Sequence, residues 1–541
     1  MSARPRSNWR AVARALSWFG ALAASDSLGV VLTQPFRTTH ATTRAVAPEA
    51  PPTLPREFRA AWVSPVASNT GPDWPSRPGL SPDAQRAELI ALLDHAKAIG
   101  LNAIILHVRV AADALYPSTR VPWSAFLSGK SGVGPSPAYD PLAFAVSEAH
   151  ARGLQLHAWF NPFRAMLPNF AGKAAASQVT RAHPSWIRHY GTQTWIDPGD
   201  SVARASVLAD ILEVVKRYDI DGVHLDDYFY PYREQHTVIT HVGKKRVRVK
   251  EDIPFPDATT WKKYGLAEGW TDRAAWRRAN IDSFVKALYD GVKKAKPWVL
   301  VGISPFGIWK SGTPDGVTGL DAFGEIYADS RRWLEEGWVD YLAPQLYWPL
   351  DGDQNRFSVL DAWWAEQNPL GRHVWPGIMT ARVVATGANW SPGEIGAQIE
   401  RIRADATSTS SDPGHIHFRL GALTAHDVSL GLGLHESLYA NLALVPSSPW
   451  LTTAAPAMPV IEWTAAQTPV ATPGDSVPIA WWLVQTQADS GAWTSSLHYA
   501  GAKDLDLTTL GNLRGARIAI TAIGRAGRSS PTAFIDAEDY R

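Results

Sequence analysis

The chain has 541 residues, more than one hydrophobic core usually fills, so we expect two or three domains. Its 52 Lys and Arg residues balance 51 Asp and Glu residues, and the net charge of +1 argues against nucleic acid or an anionic membrane as a partner attracted by an overall field. The 25 Trp residues offer flat faces on which sugar rings pack, and the absence of Cys excludes disulfides and thiol catalysis.

The N-terminal residues follow the plan of a secretory signal. Arginines among the first residues precede the apolar run 15–24, which ends in small residues that offer a cleavage site. We therefore predict a signal peptide or N-terminal anchor over residues 1–32 and a disordered linker, rich in Thr, Ala and Pro, over 33–55. The location is expected to be extracytoplasmic (periplasmic, cell-wall associated or secreted), with membrane association only if the segment stays uncleaved.

Between residues 56 and 445, short β-rich runs alternate with amphipathic helical stretches, which is typical of parallel α/β folds. The predicted helices include 82–99, with Ser81 as N-cap and Gly100 at its end, and 329–336, which is followed by Gly337. The predicted strands are 58–64, 102–110, 155–162, 222–229, 299–306, 341–347, 373–379 and 415–423. Eight strands, without a phosphate-binding glycine motif after the first, favour a closed (β/α)8 TIM barrel over an open doubly wound sheet.

Two insertions and a change of pattern complete the outline. The insertions 111–138 and 230–270 follow the second and fourth strands, at the end of a barrel where enzymes carry their active sites. After residue 449 helical periodicity disappears, and alternating runs predict a small all-β sandwich over 450–541. Its ending, ITAIGRAGRSSP, resembles the last strand and turn of fibronectin type III domains.

Alternation along each strand predicts which side chains point into the barrel, once apolar residues are assigned to the helix-covered face. On strand eight this assigns Ile416 and Phe418 to the outer face. The inward polar and aromatic residues are His107, Arg109, His157, Trp159, Asn161, His224, Asp226, Gln345, Tyr347, His415, His417 and Arg419. Because polar groups inside a barrel need partners, their convergence on one mouth favours a functional site over isolated structural histidines.

Asp226 and Asp227 lie in the second half of the fourth predicted strand. A carboxyl pair suits glycoside hydrolysis, which needs one acid to protonate the leaving oxygen and one charged group to stabilise an oxocarbenium-like centre. Neighbours on a strand point in opposite directions, so the two cannot be the opposed carboxylates of an ordinary mechanism unless the strand ends between them. Otherwise the second acid comes from Asp113, Asp315 or Glu325, and the pair could merely form turn hydrogen bonds.

Several long motifs occur in order along this region: EFRAAWVS, DALYPS with PWSAFLSG, HAWFNPFR, DGVHLDDYFYP, GISPFGIW and DYLAPQLYW. Together they resemble the bacterial glycosyl-hydrolase-like family ten, formerly domain of unknown function 187, over about residues 56–445. The resemblance implies a (β/α)8 barrel, an extracytoplasmic location and glycosidase activity. The substrate it implies is peptidoglycan glycan stripped of its stem peptides.

The strand motifs supply the candidate site. The catalytic candidates are Asp226 and Asp227. The candidate substrate-binding residues are His107, Arg109, Asp113, His157, Asn161, Arg164, His224, Gln345, Tyr347, Trp348 and Arg419. The segment DGVHLD also resembles the D-G-x-D-x-D-x-E signature of family-eighteen chitinases, but Tyr228 stands at the final acid position and His224 at the middle Asp. The proton donor of that family therefore cannot be carried over, although Asp226 could still polarise an acetamido group.

These observations predict a glycoside hydrolase that cleaves a cell-wall glycan by carboxylate acid/base catalysis, with a polysaccharide partner and no cofactor or metal. One alternative is a metal-dependent barrel hydrolase, because inward His and Asp residues also describe a zinc site. Against it, His415 and His417 lie on the last strand, whereas comparable metal-dependent barrels carry such a pair on the first. The other alternative is a non-catalytic glycan-binding protein. The glycosidic bond, the anomeric outcome and the oligomeric state stay open.

Overall fold

The computed structural model describes residues 50–536, apart from 69–70, 171, 243–244, 352–355, 385–389, 410, 425–429, 453, 466–467, 488–490, 502–503 and 512–515. The predicted signal segment 1–32 and most of the predicted linker lie outside the described residues. The last linker residues contact the folded part, since Gln485 donates to the carbonyl of Pro52 at 2.9 Å. Within the described ranges, no helix is long and apolar enough to cross a membrane.

The secondary structure alternates strands and helices up to about residue 437 and consists mainly of strands after it. The strands are β1 (Phe58–Val63), β2 (Ala103–Arg109), β3 (Gln155–Phe160), β4 (Arg164–Met166), β5 (Ile187–Tyr190), β6 (Gln193–Ile196), β7 (Gly222–Leu225), β8 (Gln235–Val242), β9 (Lys245–Asp252), β10 (Leu300–Ile303), β11 (Tyr341–Leu342), β12 (His373–Val374), β13 (Gly377–Ile378), β14 (Gly414–His417), β15 (Val460–Trp463), β16 (Pro469–Thr472), β17 (Ile479–Gln487), β18 (Trp493–Tyr499), β19 (Leu505–Asp506), β20 (Arg517–Gly524) and β21 (Ala533–Ile535). The α-helices are α1 (Pro82–Ala98), α2 (Ala125–Ser128), α3 (Pro141–Ala151), α4 (Val179–Ala182), α5 (Ser201–Arg217), α6 (Ala258–Thr260), α7 (Arg273–Ala295), α8 (Ala322–Glu325), α9 (Ser330–Glu335), α10 (Phe357–Glu366), α11 (Ala381–Val384), α12 (Pro392–Thr409), α13 (Leu420–Leu423) and α14 (Leu430–Ser437).

The main sheet is parallel and closes on itself. Its order is β12-β11-β10-β7-β3-β2-β1-β14-β13, so β12 and β13 are its two ends. Only Trp375 and Pro376 separate these two short strands, and Pro376 has no N–H with which to continue the ladder. β12 and β13 are therefore two halves of one interrupted strand that pairs with β11 on one side and with β14 on the other. The predicted (β/α)8 barrel is confirmed.

Two apolar layers hold the barrel together. On β2 and β7, Ile104, Leu106, Val223 and Leu225 pack outward against the helices. The interior is filled mainly by aromatic rings, with Phe58, Trp62, Trp159, Tyr341 and Trp375 in one buried cluster. Both faces of each strand are thus buried, as is usual for a parallel sheet covered by helices.

The helix ends follow the local signals. Ser81 caps α1 by accepting a hydrogen bond from the Ala84 amide at 3.2 Å. Gly100 follows α1 with φ of 86°, and Gly337 follows α9 with φ of 70°, a backbone region that glycine enters without steric cost. Both predicted helix terminations are confirmed.

The C-terminal part is a two-sheet antiparallel sandwich. One sheet has the order β15-β16-β19 and the other β18-β17-β20-β21, with Trp482 and Ile520 among the residues buried between them. The sandwich contacts the end of the barrel where the strands begin: Arg525 pairs with Asp219, which precedes β7, at 2.9 Å. The predicted all-β region is confirmed, and the likeness to fibronectin type III domains stays a prediction.

Candidate active site

A pocket of about 330 Å³ opens where the barrel strands end. It is lined by Trp62, Ser64, Val66, Ala67, Ser68, His107, Trp159, Arg164, Asp226, Asp227, Tyr228, Tyr232, Ser304, Gln345, Tyr347, Met379, Phe418 and Arg419. The lining comes from several strands and from the turns that follow them. This is the end of a TIM barrel at which enzymes assemble their catalytic groups.

Both carboxyls of the adjacent pair reach this pocket. The predicted fourth strand ran to residue 229, but β7 ends at Leu225, so Asp226 and Asp227 lie in the turn that follows it. The strict alternation of a strand no longer applies there. The strand ends before both residues rather than between them, and both side chains still reach one pocket.

Asp226 is almost fully buried and accepts hydrogen bonds from two side chains. The Trp159 indole N–H and the Asn161 amide each donate to Oδ2 at 3.1 Å. Burial raises the pKa of Asp226 to about 7, because the lowering effect of the Arg164 charge is smaller and the neighbouring Asp227 raises it further. Near neutral pH this carboxyl can both hold and release a proton.

Asp227 is also buried, but hydrogen bonds stabilise its charged form. The Tyr232 hydroxyl donates to Oδ2, and the Gln345 side chain donates to the same carboxylate. Burial raises the pKa of Asp227, and these donors oppose the shift. Burial, and then the charge of Asp227, raises the pKa of Tyr232, so the phenol keeps its proton and remains a donor.

The His107 ring lines the pocket and is held by two neighbours. Its ring stacks on Trp159 with centroids 3.8 Å apart, and Nδ1 lies 3.0 Å from the Ser64 hydroxyl. Nε2 is buried and has no hydrogen-bond partner among the described residues. Burial, followed by the charge of Arg164, lowers the pKa of His107 well below its usual value, so the ring is neutral.

Beneath the pocket, a buried chain of hydrogen bonds fixes the aromatic floor. The Trp62 indole donates to His224 Nε2 at 3.1 Å, and the Tyr341 hydroxyl lies 2.9 Å from both His224 Nδ1 and His157 Nδ1. An indole N–H can only donate, so His224 Nε2 accepts and Nδ1 carries the proton. His157 and His224 do not line the pocket, and their predicted contact with substrate is wrong because they satisfy each other through Tyr341.

Comparison with known proteins assigns the family. The model of the family described as Glycosyl hydrolase-like 10 matches residues 57–391. The chain belongs to this family. Glycosyl hydrolase YngK of Bacillus subtilis (strain 168) is 36% identical over 421 residues, covering 75% of this chain and 76% of YngK. Glycosyl hydrolase DigH of Escherichia coli (strain K12) is 35% identical over 329 residues, covering 57% of this chain and 70% of DigH.

Among solved structures, the PgaB (BpsB) glycoside hydrolase domain from Bordetella bronchiseptica is a remote likeness. It shares 15% identity at a TM-score of 0.44, with 70% of this chain and 98% of that domain covered. The family assignment rests on the sequence matches alone.

In this glycosyl hydrolase-like chain, Arg109 points away from the pocket. A bulge between His107 and Arg109 shifts the register with β3, so that Arg109 pairs with Phe160, which faces the helices. Its guanidinium donates to the carbonyls of Asn161 at 2.6 Å and Pro162 at 3.0 Å. The predicted inward orientation is wrong because one extra residue reverses the alternation after it.

The two faces of strand eight are the reverse of those predicted. His415 and His417 point outward and both contact the Tyr439 hydroxyl, His417 at 2.9 Å. Ile416 packs in the barrel interior, and Phe418 lines the pocket. The prediction failed because a hydroxyl in the outer layer satisfies both histidines, while the aromatic interior accepts the apolar residues.

Arg419 reaches the pocket after β14 has ended. Its guanidinium donates to the carbonyls of Ser64 and Val66, each at 2.7 Å, and forms an ion pair with Asp73 at 2.5 Å. It thereby joins the turn after β1 to the turn after β14. Arg164 also lines the pocket, with its guanidinium 4.2 Å from the centre of the Tyr228 ring.

The remaining candidates lie outside the pocket. Asp113 accepts hydrogen bonds from backbone amides, that of Ala111 at 2.9 Å, and Trp348 packs edge-on against Phe306 with ring centroids 5.9 Å apart. Glu325 pairs with Arg233 at 3.3 Å. Asp315 is exposed, and Asn161 acts only through its hydrogen bond to Asp226. Within the described part of the chain, the only carboxyls that line the pocket are Asp226 and Asp227.

Several lining residues were not among the candidates. Trp62 lies in β1 and Ser64 follows it directly. The alternation in AAWVS places both on the same face of the strand and could have identified them as inward residues. Tyr228 and Tyr232 follow β7 in a turn, where no periodicity indicates direction. Over the described ranges, no group of three or more His, Asp or Glu residues is arranged to hold a metal ion.

Proposed function

We propose that this protein is an extracytoplasmic glycosidase that cleaves peptidoglycan strands lacking stem peptides. The observation that carries the proposal is the buried Asp226, whose pKa of about 7 suits a general acid, beside Asp227 in one pocket. Membership of a glycosyl hydrolase-like family gives the reaction class. The relatives YngK and DigH are both described as glycosyl hydrolases, in agreement with that class.

In the proposed reaction Asp226 donates its proton to the leaving glycosidic oxygen, and the bond from that oxygen to the anomeric carbon breaks. A water molecule then adds to the anomeric carbon and returns a proton to Asp226. The carboxylate left behind is stabilised by the Trp159 and Asn161 donors and by the Arg164 charge. Asp227, held by Tyr232 and Gln345, stabilises the positive charge that develops on the sugar ring. The two carboxyls follow one strand, so a mechanism that needs carboxylates on opposite sides of the ring is not assigned to them.

The walls of the pocket suit a sugar. Trp62, Tyr347 and Phe418 provide apolar ring faces, while Arg164 and Gln345 provide polar groups for a hydroxyl or acetamido group. The cell-wall substrate is supported by the family motifs, and the location by the N-terminal segment with the plan of a secretory signal.

The test is to incubate the purified protein with peptide-free peptidoglycan strands and, separately, with chitin oligomers. We expect soluble fragments from the strands, and mass spectrometry of the new ends identifies the bond that is cut. Asp226→Asn is the matched control. Binding of the strands without any product from wild-type protein would favour the non-catalytic alternative.

A further inference from the structure

A two-stranded ribbon leaves the catalytic end of the barrel. β8 and β9 pair along their whole length from Gln235–Asp252 to Val242–Lys245, and we call residues 235–252 the basic hairpin. It begins a few residues after Tyr232, the donor to Asp227, and Ile253 closes its base through a hydrogen bond to Glu234 at 2.8 Å. The hairpin is therefore anchored at the edge of the pocket.

The described side chains of the hairpin are exposed, apart from that of Val238, which is half-buried. Every residue of β9 is open to solvent, including Val247 and Val249. A ribbon of eight residues per strand extends about 26 Å at roughly 3.3 Å per residue. Such an exposed ribbon contributes little to the core, so its sequence is free to serve contacts with another molecule.

One face of the hairpin carries a line of cations. Arg246, Arg248 and Lys250 alternate along β9 and so share a face, with neighbours about 7 Å apart. None of the three has an ion pair within the described part of the chain. The acids at the base do not pair with these cations: Asp252 pairs with Arg233 at 3.1 Å, and Glu251 lies on the opposite face of β9. The line of cations thus has no internal counter-charge.

We propose that this line of cations binds carboxylates of the glycan strand whose cleavage site occupies the pocket. The inference rests on the proposed function. A peptidoglycan strand without stem peptides carries a free lactyl carboxylate on alternate sugars, because removal of the peptide exposes the acid that its amide bond had masked. The strand is then a regular polyanion, and a cationic ribbon beside the pocket complements its charge.

The composition of the hairpin favours a glycan over a lipid surface. Segments that lie in a membrane interface combine cations with Trp, Phe or Leu, and the hairpin has none of these three. Its position next to the pocket also means that a polymer emerging from the cleavage site meets the cations, whereas a membrane contact has no need of that position.

The test compares Arg246→Gln, Arg248→Gln and Lys250→Gln in one variant with wild-type protein. All three side chains are exposed, so folding is expected to be unchanged. The substrates are peptide-free strands and the same strands after amidation of their carboxyls. We expect KM on the carboxylate strands to rise roughly three- to tenfold, with kcat unchanged and no effect on amidated strands. Added salt should reduce the difference.

A matched control neutralises Lys97, Lys216 and Lys294, exposed cations near the opposite end of the barrel, and should keep the wild-type KM. An unchanged KM in the hairpin variant overturns the proposal. So does a loss of binding to phosphatidylglycerol vesicles with unchanged glycan binding, which assigns the hairpin to a membrane. If wild-type protein cleaves no strand, the proposed function fails, and cosedimentation of both variants with the same strands still decides the role of the hairpin.

Discussion

Asp226 owes its properties to neighbours that act in opposite directions. Burial and the adjacent Asp227 favour its neutral form, while Arg164, Trp159 and Asn161 favour the charged form. A pKa of about 7 leaves the acid partly protonated where most enzymes operate. The residue can therefore give up a proton to a leaving group without a large energetic cost.

Replacing Asp226 by Asn should remove most of the turnover and leave glycan binding largely intact. The amide keeps the shape of the carboxyl but cannot supply the proton, so we expect kcat to fall about a hundredfold or more with little change in KM. Steady-state kinetics on one defined glycan, with circular dichroism to check folding, is the measurement. Wild-type turnover would remove Asp226 as the acid.

Asp227→Asn is the paired variant. It should cost less turnover than Asp226→Asn if Asp227 only orients a neighbour, and a comparable amount if Asp227 stabilises the charge on the sugar. It also removes a negative charge that raises the pKa of Asp226, so the pH at which activity declines on the alkaline side should move downward. A pH–rate profile that does not move would mean that the two carboxyls are not coupled.

Asp226→Asn should also stabilise the fold at alkaline pH. The pKa of Asp226 is about 7 in the folded state against 3.8 for an unperturbed Asp carboxyl, so its contribution to the free energy of unfolding declines as pH rises between these values. The gain in the variant is at most about 4 kcal/mol at about pH 8 and vanishes below about pH 4. Melting temperatures at both pH values test this, and an equal shift at both would contradict it.

At the scale of whole strands, alternation identifies residues that share a face but not which face is which. For β3 and β7 the apolar residues do face the helices, and the prediction of inward Trp159 and Asp226 was right. For β14 the outer layer contains the Tyr439 hydroxyl, which the histidines contact, and the interior contains Trp375. Polarity therefore predicted the two faces of this strand the wrong way round. The residues of both layers are present in the sequence, but which strand face meets which layer is known only once the helices have packed against the barrel.

Strand ends were harder to predict than strand positions. All eight predicted strands have a counterpart in the barrel, yet β7 ends at Leu225, before the residues that matter most. The segment 420–423, predicted as strand, is the helix α13. Strand boundaries depend on pairing with strands that are distant in sequence. The bulge in β2 beside Arg109, for example, arises where β2 pairs with β3, and no local pattern encodes it.

The pairing of β10 with β11 depends on a glycine. A Cβ on Gly302 would lie 1.8 Å from the Tyr341 ring, which binds His157 and His224. Gly302→Ala should therefore displace the ring and lower the free energy of unfolding by about 1 to 3 kcal/mol. Because His224 holds Trp62, KM should rise as well.

Chemical denaturation and steady-state kinetics measure these two effects. Gly433→Ala is the matched control, since its Cβ would meet nothing within 4 Å. Equal stability of both variants would show that the interior rearranges without cost.

For the molecule as a whole, the pocket with the proposed catalytic pair and the C-terminal sandwich lie at opposite ends of the barrel. The pocket opens where the strands end, whereas Asp219, which contacts the sandwich, precedes β7. Tyr499 stacks on His150 with centroids 3.9 Å apart and donates to Asp219. The sandwich is thus expected to influence stability and attachment rather than turnover.

Arg525→Gln should destabilise the protein slightly and leave kcat unchanged. Burial alone would raise the pKa of Asp219, but hydrogen bonds from Arg525 and Tyr499 overcome it and lower the pKa. The partly exposed pair contributes roughly 1 kcal/mol or less, present above the unfolded pKa near 3.8 and lost as pH falls through the lower folded value.

The loss of melting temperature in Arg525→Gln should accordingly be larger at neutral pH than at about pH 3. Lys286→Gln, which breaks an exposed pair with Asp290 on α7, serves as the control. A fall in kcat on a short soluble glycan, with the barrel still folded, would show that the sandwich does affect the pocket.

The hydrogen bond from Trp159 to Asp226 gives the protein a built-in optical sensor. Indole fluorescence responds to charge in its immediate surroundings, and here the indole N–H lies 3.1 Å from the carboxyl that is proposed to supply the proton. The emission of this one ring therefore depends on whether Asp226 is ionised. The difference between the emission of wild-type protein and that of Trp159→Phe, followed across pH, isolates this ring from the other 24 Trp residues and should report the ionisation of Asp226 before any sugar has entered the pocket.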